Sequence, residues 1–314
     1  MCSIAGILFK HDKHPDLGMT TGKLLTEILD ATSHRGPDSC GWGLYREGQE
    51  KQIRLRFFLS EGEKAKDDIS TIKQLLLTYD ATIISEKVEG ESYALIIHYE
   101  GNVKKLVSGL GQKVALVSVG NSLDIIKDVG LPYEVSKNYS ITDFDGHHGL
   151  GHTRLATESG VHPDTSHPFW APGFSDICAV HNGQITNYWI MRRRLTRQGM
   201  EFQTENDTEL IAVYLAYKMS LGSTLEDALK TSLEDLDGTF SYLVATKDSI
   251  GYAKDKLAAK PMIKYEDEDM IAISSEEVGL NRIFPGKAID TTEPAPLTYG
   301  IWSRVGPGNA SLSA

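Results

Sequence analysis

Met1-Cys2-Ser3-Ile4-Ala5-Gly6-Ile7-Leu8 opens the chain, and its reading decides how everything after it is understood. A cysteine directly follows the initiator methionine and leads an apolar run with the character of a strand. Removal of Met1, which a small second residue permits, leaves a thiol and a free α-amine on one residue. An α-amine titrates near about 7.7 to 8.0 and a thiol near about 8.5, so the amine can take the thiol proton during attack. On its own the stretch favours an ordinary buried cysteine in a core strand. The remainder of the chain has to decide.

With 314 residues, 40% of them hydrophobic and 24% charged, the chain reads as a globular protein of one large or two ordinary domains. No apolar run approaches the roughly 18 to 20 residues of a membrane span, and no basic segment with an apolar stretch and cleavage site precedes Cys2, so a cytoplasmic location is expected. The net charge of −11 argues against nucleic-acid binding. Arg192-Arg193-Arg194 is the one basic block; it reads as a solvated helix face, with docking to an acidic partner as the alternative. Cys2, Cys40 and Cys178 are odd in number and widely spaced, which implies reduced thiols and neither a disulfide framework nor a CxxC metal site.

Apolar spacing predicts a helix over 19–32 packed on the opening strand, then a turn-rich loop His34-Arg35-Gly36-Pro37-Asp38 running into a strand at 42–45. Residues 47–144 give weaker signals and read as an elaboration or a small inserted subregion. Strands are expected there at 53–59, 93–99 and 113–119, helices at 69–79 and 123–129, and a turn into a short apolar segment at 102–111. Gly149–Thr157 reads as a strand followed by a long Pro- and His-rich loop. A strand at 176–180 ends in His181-Asn182-Gly183-Gln184, helices follow at 187–198, 207–219 and 224–236, and strands close the chain from 239 to 302 with a short helix at 276–283. Strands come in runs and helices in runs, which indicates an α+β fold with mainly antiparallel sheets. Residues 306–314 read as a flexible tail.

Five motifs in order carry a resemblance: Cys2 after Met1, His34-Arg35-Gly36-Pro37-Asp38, His152-Thr153-Arg154-Leu155-Ala156-Thr157, His181-Asn182-Gly183 and Asp207-Thr208-Glu209. Together they resemble the N-terminal-nucleophile domains of class II glutamine amidotransferases, over residues 2–305. Leu131-Pro132 and Asp235-Leu236-Asp237-Gly238 add a likeness to the separate amidotransferase subunits of split glutamate synthases and of methylamine-glutamate N-methyltransferase. The resemblance implies a four-layer αββα sandwich with two antiparallel sheets. It also implies hydrolysis of L-glutamine to glutamate and ammonia through a Cys2 thioester, with the α-amine as base. Asn182 and Gly183 are then the oxyanion donors, Arg154 holds the substrate α-carboxylate and Asp207 its α-ammonium. Leu155 and Thr157 line the pocket, and Arg35 orders the loop beside Cys2.

Since the sequence ends soon after the glutaminase region, a partner synthase subunit that accepts ammonia is expected. By resemblance that partner binds FMN and iron–sulfur clusters, for which this chain has neither the cysteine sets nor a flavin fingerprint. His34, His147, His148, His152, His162, His167 and His181 invite a metal site, but no carboxylate or cysteine falls at ligand spacing and none is expected. Cys40 and Cys178 read as small buried hydrophobes. Asp255, Lys260 and Ser274-Ser275-Glu276 resemble a later family segment, with lysine where that pattern has arginine, and read as scaffold or partner contact. The competing readings are another N-terminal-nucleophile amide hydrolase and a non-catalytic scaffold or regulatory subunit of a synthase.

Overall fold

A computed structural model of the chain describes residues 2–11, 17–156 and 160–304. The first half runs β1 (Ser3–Phe9), α1 (Thr21–Ala31), β2 (Ser39–Tyr45), β3 (Gln52–Phe58), α2 (Lys64–Thr78), β4 (Thr82–Glu89), β5 (Ser92–His98), α3 (Val103–Gly111), β6 (Ala115–Gly120), β7 (Leu123–Val129), α4 (Pro132–Asn138) and β8 (His148–Arg154). The second half begins with β9 (Phe169–Trp170), β10 (Cys178–Ile185), α5 (Tyr188–Arg197), α6 (Asp207–Ser220) and α7 (Leu225–Asp235). It ends with β11 (Gly238–Ala245), β12 (Ser249–Lys254), β13 (Ile263–Glu266), β14 (Met270–Ser274), α8 (Glu277–Ile283), β15 (Thr291–Thr292) and β16 (Thr298–Ser303).

Strand β1 lies inside the larger sheet, whose order is β15-β13-β14-β1-β8-β2-β7, and it pairs antiparallel with β14 and β8. Period-two alternation then divides its side chains between two cores. Ile4 and Leu8 face a second sheet, ordered β16-β12-β11-β10-β9, and pack with Val180, Leu243 and Ile273. Ala5, Ile7 and Phe9 face outward onto Leu24, Leu25, Ile28 and Leu29 of α1. Helices α5, α6 and α7 cover the outer face of the second sheet, and α6 is apolar from Leu210 to Ala216 because it is the middle helix of that layer. Helix, sheet, sheet, helix is the four-layer arrangement expected from the sequence.

A third sheet, β4-β5-β3-β6, is formed within residues 47–144. The chain passes from it back into the main sheet through a turn at Asn121-Ser122, where the Asp176 carboxylate accepts the backbone N–H groups of Asn121, Ser122 and Leu123 at 3.0, 2.7 and 2.9 Å. Two expectations change here. Residues 123–129 form the edge strand β7 rather than a helix, because that turn sends them along β2, with Trp42 opposite Ile126 and Gly41 opposite Lys127. Residues 103–111 form α3, capped by Asn102 whose side chain accepts the Lys105 N–H at 3.0 Å, rather than a turn and short segment. No helix among the described residues is long and apolar enough to cross a membrane. The tail from 306 lies outside the described residues.

The two main sheets are also joined by a polar contact inside the core. The Tyr45 hydroxyl of β2 donates to the Ala245 carbonyl at 2.9 Å, beside Cys178 Sγ at 3.4 Å, while its ring stacks on His148 at 4.3 Å. Tyr45→Phe is expected to lower unfolding free energy by about 1 to 3 kcal/mol, since Ala245 loses its buried donor. Urea denaturation checks this, and an unchanged midpoint would remove the contact from the forces joining the sheets.

Candidate active site

Cys2 stands immediately before β1, and the register Ser3↔Thr153 and Ile4↔His152 carries it to the end of β8. The Leu155 backbone N–H donates to Cys2 Sγ at 3.4 Å, and the Leu155 carbonyl lies 3.9 Å from the same sulfur. Arg35 arrives from a short 3₁₀ turn at 33–35; its Nε donates to the Cys2 carbonyl at 3.0 Å and its Nη1 to Glu276 at 2.5 Å. Glu276 also lies 3.1 Å from His34 Nε2. A buried guanidinium therefore fixes the residue that carries the thiol. The loop between these points is equally constrained: a Cβ on Gly36 would come within 2.6 Å of the Thr153 carbonyl, and Asp38 Oδ2 accepts the Ala156 N–H at 2.8 Å. That carboxylate holds the chain as it leaves Arg154.

Arg154 ends β8 with its side chain buried, and its Nη1 is 3.4 Å from the Gly160 carbonyl. Asp207 begins α6. The helix is capped not by Asp207 but by Asn206, whose side chain accepts the Thr208 N–H at 2.8 Å, so the capping explanation for Asp207 does not hold. Asp207 instead accepts the Ile185 N–H at 3.1 Å and approaches His181 Nδ1 at 3.5 Å. Burial pushes its carboxyl pKa up, but His181 and the backbone N–H groups of Ile185 and Asp207 outweigh burial and hold it below the ordinary range. Thr208 and Glu209 brace the same corner. Thr208 Oγ1 lies 3.3 Å from His181 Nδ1, and Glu209 accepts the N–H groups of Gln203 and Thr204 at 2.6 and 2.8 Å.

Asn182 sits on β10 in the facing sheet. Its Nδ2 donates to Ser275 Oγ at 3.1 Å, while its Oδ1 is buried with no hydrogen-bond partner among the described residues. The same Ser275 Oγ accepts the Ile4 N–H at 2.9 Å, which ties Asn182 to the strand that carries Cys2. Gly183 has φ +133°, and a Cβ there would lie 1.9 Å from the Thr239 carbonyl, so only glycine fits. His152 Nε2 contacts the His181 carbonyl at 3.1 Å, and its ring stacks on His167 at 3.9 Å. Burial depresses the His152 pKa to about 3 and that of His167 well below its ordinary value, so both rings are neutral.

Cys2, Arg35, Arg154, Leu155, Asn182, Gly183 and Asp207 thus lie on elements that these bonds draw together, and Thr157 lies outside the described residues. Ser275, Glu276 and Asp38, which the sequence places only in motif or scaffold segments, are direct supports of these elements. Among the described residues no group of three or more His, Cys, Asp or Glu side chains is arranged to hold a metal ion.

A family model described as "Glutamine amidotransferase domain" matches residues 152–282, a span from His152 through Asn182 and Asp207 to past Glu276. A Methanothermobacter thermautotrophicus protein named as a glutamine amidotransferase is 35% identical over 304 residues, covering 95% of this chain and 98% of its own. The chain belongs to the class II glutamine amidotransferases. The glutamine amidotransferase-like protein GlxB of Rhizobium meliloti is 34% identical over 304 residues, covering 96% of this chain and 98% of its own. Among solved structures, the glutamine phosphoribosylpyrophosphate amidotransferase of B. subtilis superposes with a TM-score of 0.60 at 19% identity. That match covers 96% of this amidotransferase and 47% of the other chain, and it shows the shared N-terminal-nucleophile fold.

Cys2 is the partly exposed cysteine, whereas Cys40 and Cys178 are buried. Burial drives the Cys178 thiol to about 12 and that of Cys40 well above its usual value. Iodoacetamide at neutral pH is expected to alkylate Cys2 in the folded amidotransferase and to reach the other two only after denaturation. Peptide mass spectrometry reads the result, and early labelling of Cys40 or Cys178 would contradict it.

Proposed function

We propose that this amidotransferase is a glutaminase in which Cys2, once Met1 is removed, is the nucleophile. The observation that carries the reading is the placement of Cys2 Sγ against the Leu155 N–H, at the end of the strand bearing the buried Arg154. Arg154 takes the α-carboxylate of glutamine through its planar fork. Asp207, held ionised by its surroundings, takes the α-ammonium. Leu155, whose N–H faces the sulfur at 3.4 Å, borders the space where the side-chain amide would lie.

Sγ attacks the side-chain amide carbon while the Cys2 α-amine accepts the thiol proton. The tetrahedral oxyanion is held by the Asn182 side-chain amide and the Gly183 N–H. Collapse breaks the carbon–nitrogen bond; the α-ammonium returns its proton to the leaving nitrogen, and ammonia departs. Water, deprotonated by the same amine, attacks the thioester, releasing glutamate and restoring the thiol. Arg35, anchored by Glu276, positions Cys2 and takes no part in bond making. Ammonia passes to a partner synthase subunit of the glutamate synthase or N-methylglutamate synthase type, and FMN and iron–sulfur clusters belong to that partner.

Cys2→Ala is expected to abolish glutamate release from glutamine, and comparable turnover by the variant would sink the mechanism. Intact mass is expected to lack Met1; active protein that retains it would remove the α-amine from its role. Asn182→Ala is expected to lower kcat by about 100- to 1,000-fold. Arg154→Lys is expected to raise KM for glutamine by about 10- to 100-fold, with a smaller effect on kcat. Initial-rate kinetics separate the two, and a pure KM effect at Asn182 would exclude it as an oxyanion donor.

A further inference from the structure

Lys127 carries a buried amine that neither the chemistry above nor any motif accounts for. It lies on β7 opposite Gly41 and has no ion-pair carboxylate among the described residues. Its Nζ instead points into a ring of backbone oxygens: it donates to the carbonyls of Ser166, Pro168 and Asp164 at 2.7, 3.2 and 3.4 Å. The Phe169 ring lies 4.2 Å below the same nitrogen. An ammonium has three N–H donors radiating from one atom, and here all three are directed at one short segment of chain.

That segment is the far part of the loop that follows Arg154. Gly160, near its start, gives its carbonyl to Arg154. His167, between two of the tethered carbonyls, lays its ring flat on His152, and both its ring nitrogens lie 3.4 Å from Thr208 Oγ1. His152 is two residues before Arg154 on β8, and Thr208 directly follows Asp207 on α6. The loop also lies close against the sheet, since a Cβ on Gly41 would come within 2.2 Å of the His167 carbonyl. One nitrogen therefore fixes the stretch of chain wedged between the elements that carry the two charged anchors.

We propose that Lys127 is a positioning residue for glutamine: its ammonium ties Asp164–Pro168 to the main sheet and so sets the spacing between Arg154 and Asp207. The proposal rests on the glutaminase reading for its substrate, while the tether itself is independent of it. A methionine would fill much of the same volume without the cost of a buried charge. What methionine cannot do is hold three carbonyls. Burial lowers the Lys127 pKa to about 7; the carboxylates of Asp164 and Glu209 work against that shift, and Arg154 adds to it. His167, which faces the amine across the tethered segment, is itself depressed by burial and by the surrounding positive groups.

The test is Lys127→Met, read by glutamine kinetics and by the amide-exchange protection of residues 160–168. Loss of charge-assisted bonds is expected to raise KM by about tenfold or more with kcat within about threefold, and to lower protection in 160–168 by about tenfold while β1 and β10 are unchanged. A wild-type KM with unchanged protection overturns the proposal. So does a kcat that falls as KM rises, with protection lost throughout the fold, which marks a general packing role. If Lys127→Met does not fold, Lys127→Arg decides: it keeps the charge but cannot direct three N–H groups from one atom, so a raised KM supports the tether and a wild-type KM overturns it. If the wild-type protein hydrolyses no glutamine, the glutaminase reading fails. The tether is then judged by exchange in 160–168 alone, where loosening in the variant supports it and unchanged protection overturns it.

Discussion

The antiparallel seating of β1 between β8 and β14 is the constraint on which the rest of this amidotransferase depends. Pairing with β8 delivers Cys2 to the Leu155 N–H, and pairing with β14 delivers Ser275 to the Ile4 N–H. Ser275 is thereby placed to receive Asn182 from the facing sheet. A shift of one residue in either pairing would turn Ile4 and Leu8 away from the inner core and break these polar contacts at the same time. The hydrophobic alternation that selects the fold also selects the register of the site, so stability and chemistry are specified by one set of side chains.

Charge is handled differently on the two sides of the pocket. Asp207 keeps its negative charge although it is buried, because His181 and backbone N–H groups surround it. Burial depresses the pKa values of His152 and His167, and the two rings stack on each other as packing.

Much of this was legible in the sequence, for physical reasons. The strand and helix alternations of β1, α1, β10 and α6 are strong, and the chemically demanding positions Cys2, Arg154, Asn182, Gly183 and Asp207 stand in short local motifs. The middle region was less legible. Leu123, Ile125, Ile126 and Val129 fit a helical face about as well as a strand, and the carboxylate that settles the matter, Asp176, lies more than fifty residues away. Lys127 carried no signal, and Ser275 read only as scaffold or partner contact, for the same reason: a lysine amine or a serine hydroxyl says nothing of its partners, which only tertiary structure brings to it. Thr157, expected to line the pocket, lies outside the described residues.

The bond between Ile4 and Ser275 spans 271 positions of chain, with consequences for synthesis on the ribosome. The thiol-bearing residue emerges well before the strand that completes its bed. Until β14 is made, β1 lacks one of its two neighbours, and the Asn182 amide lacks the hydroxyl that steers it. A nascent chain therefore carries its reactive sulfur without the apparatus to use it. Long-range pairing of this kind makes folding slow, and it couples the bed of the thiol to completion of the larger sheet.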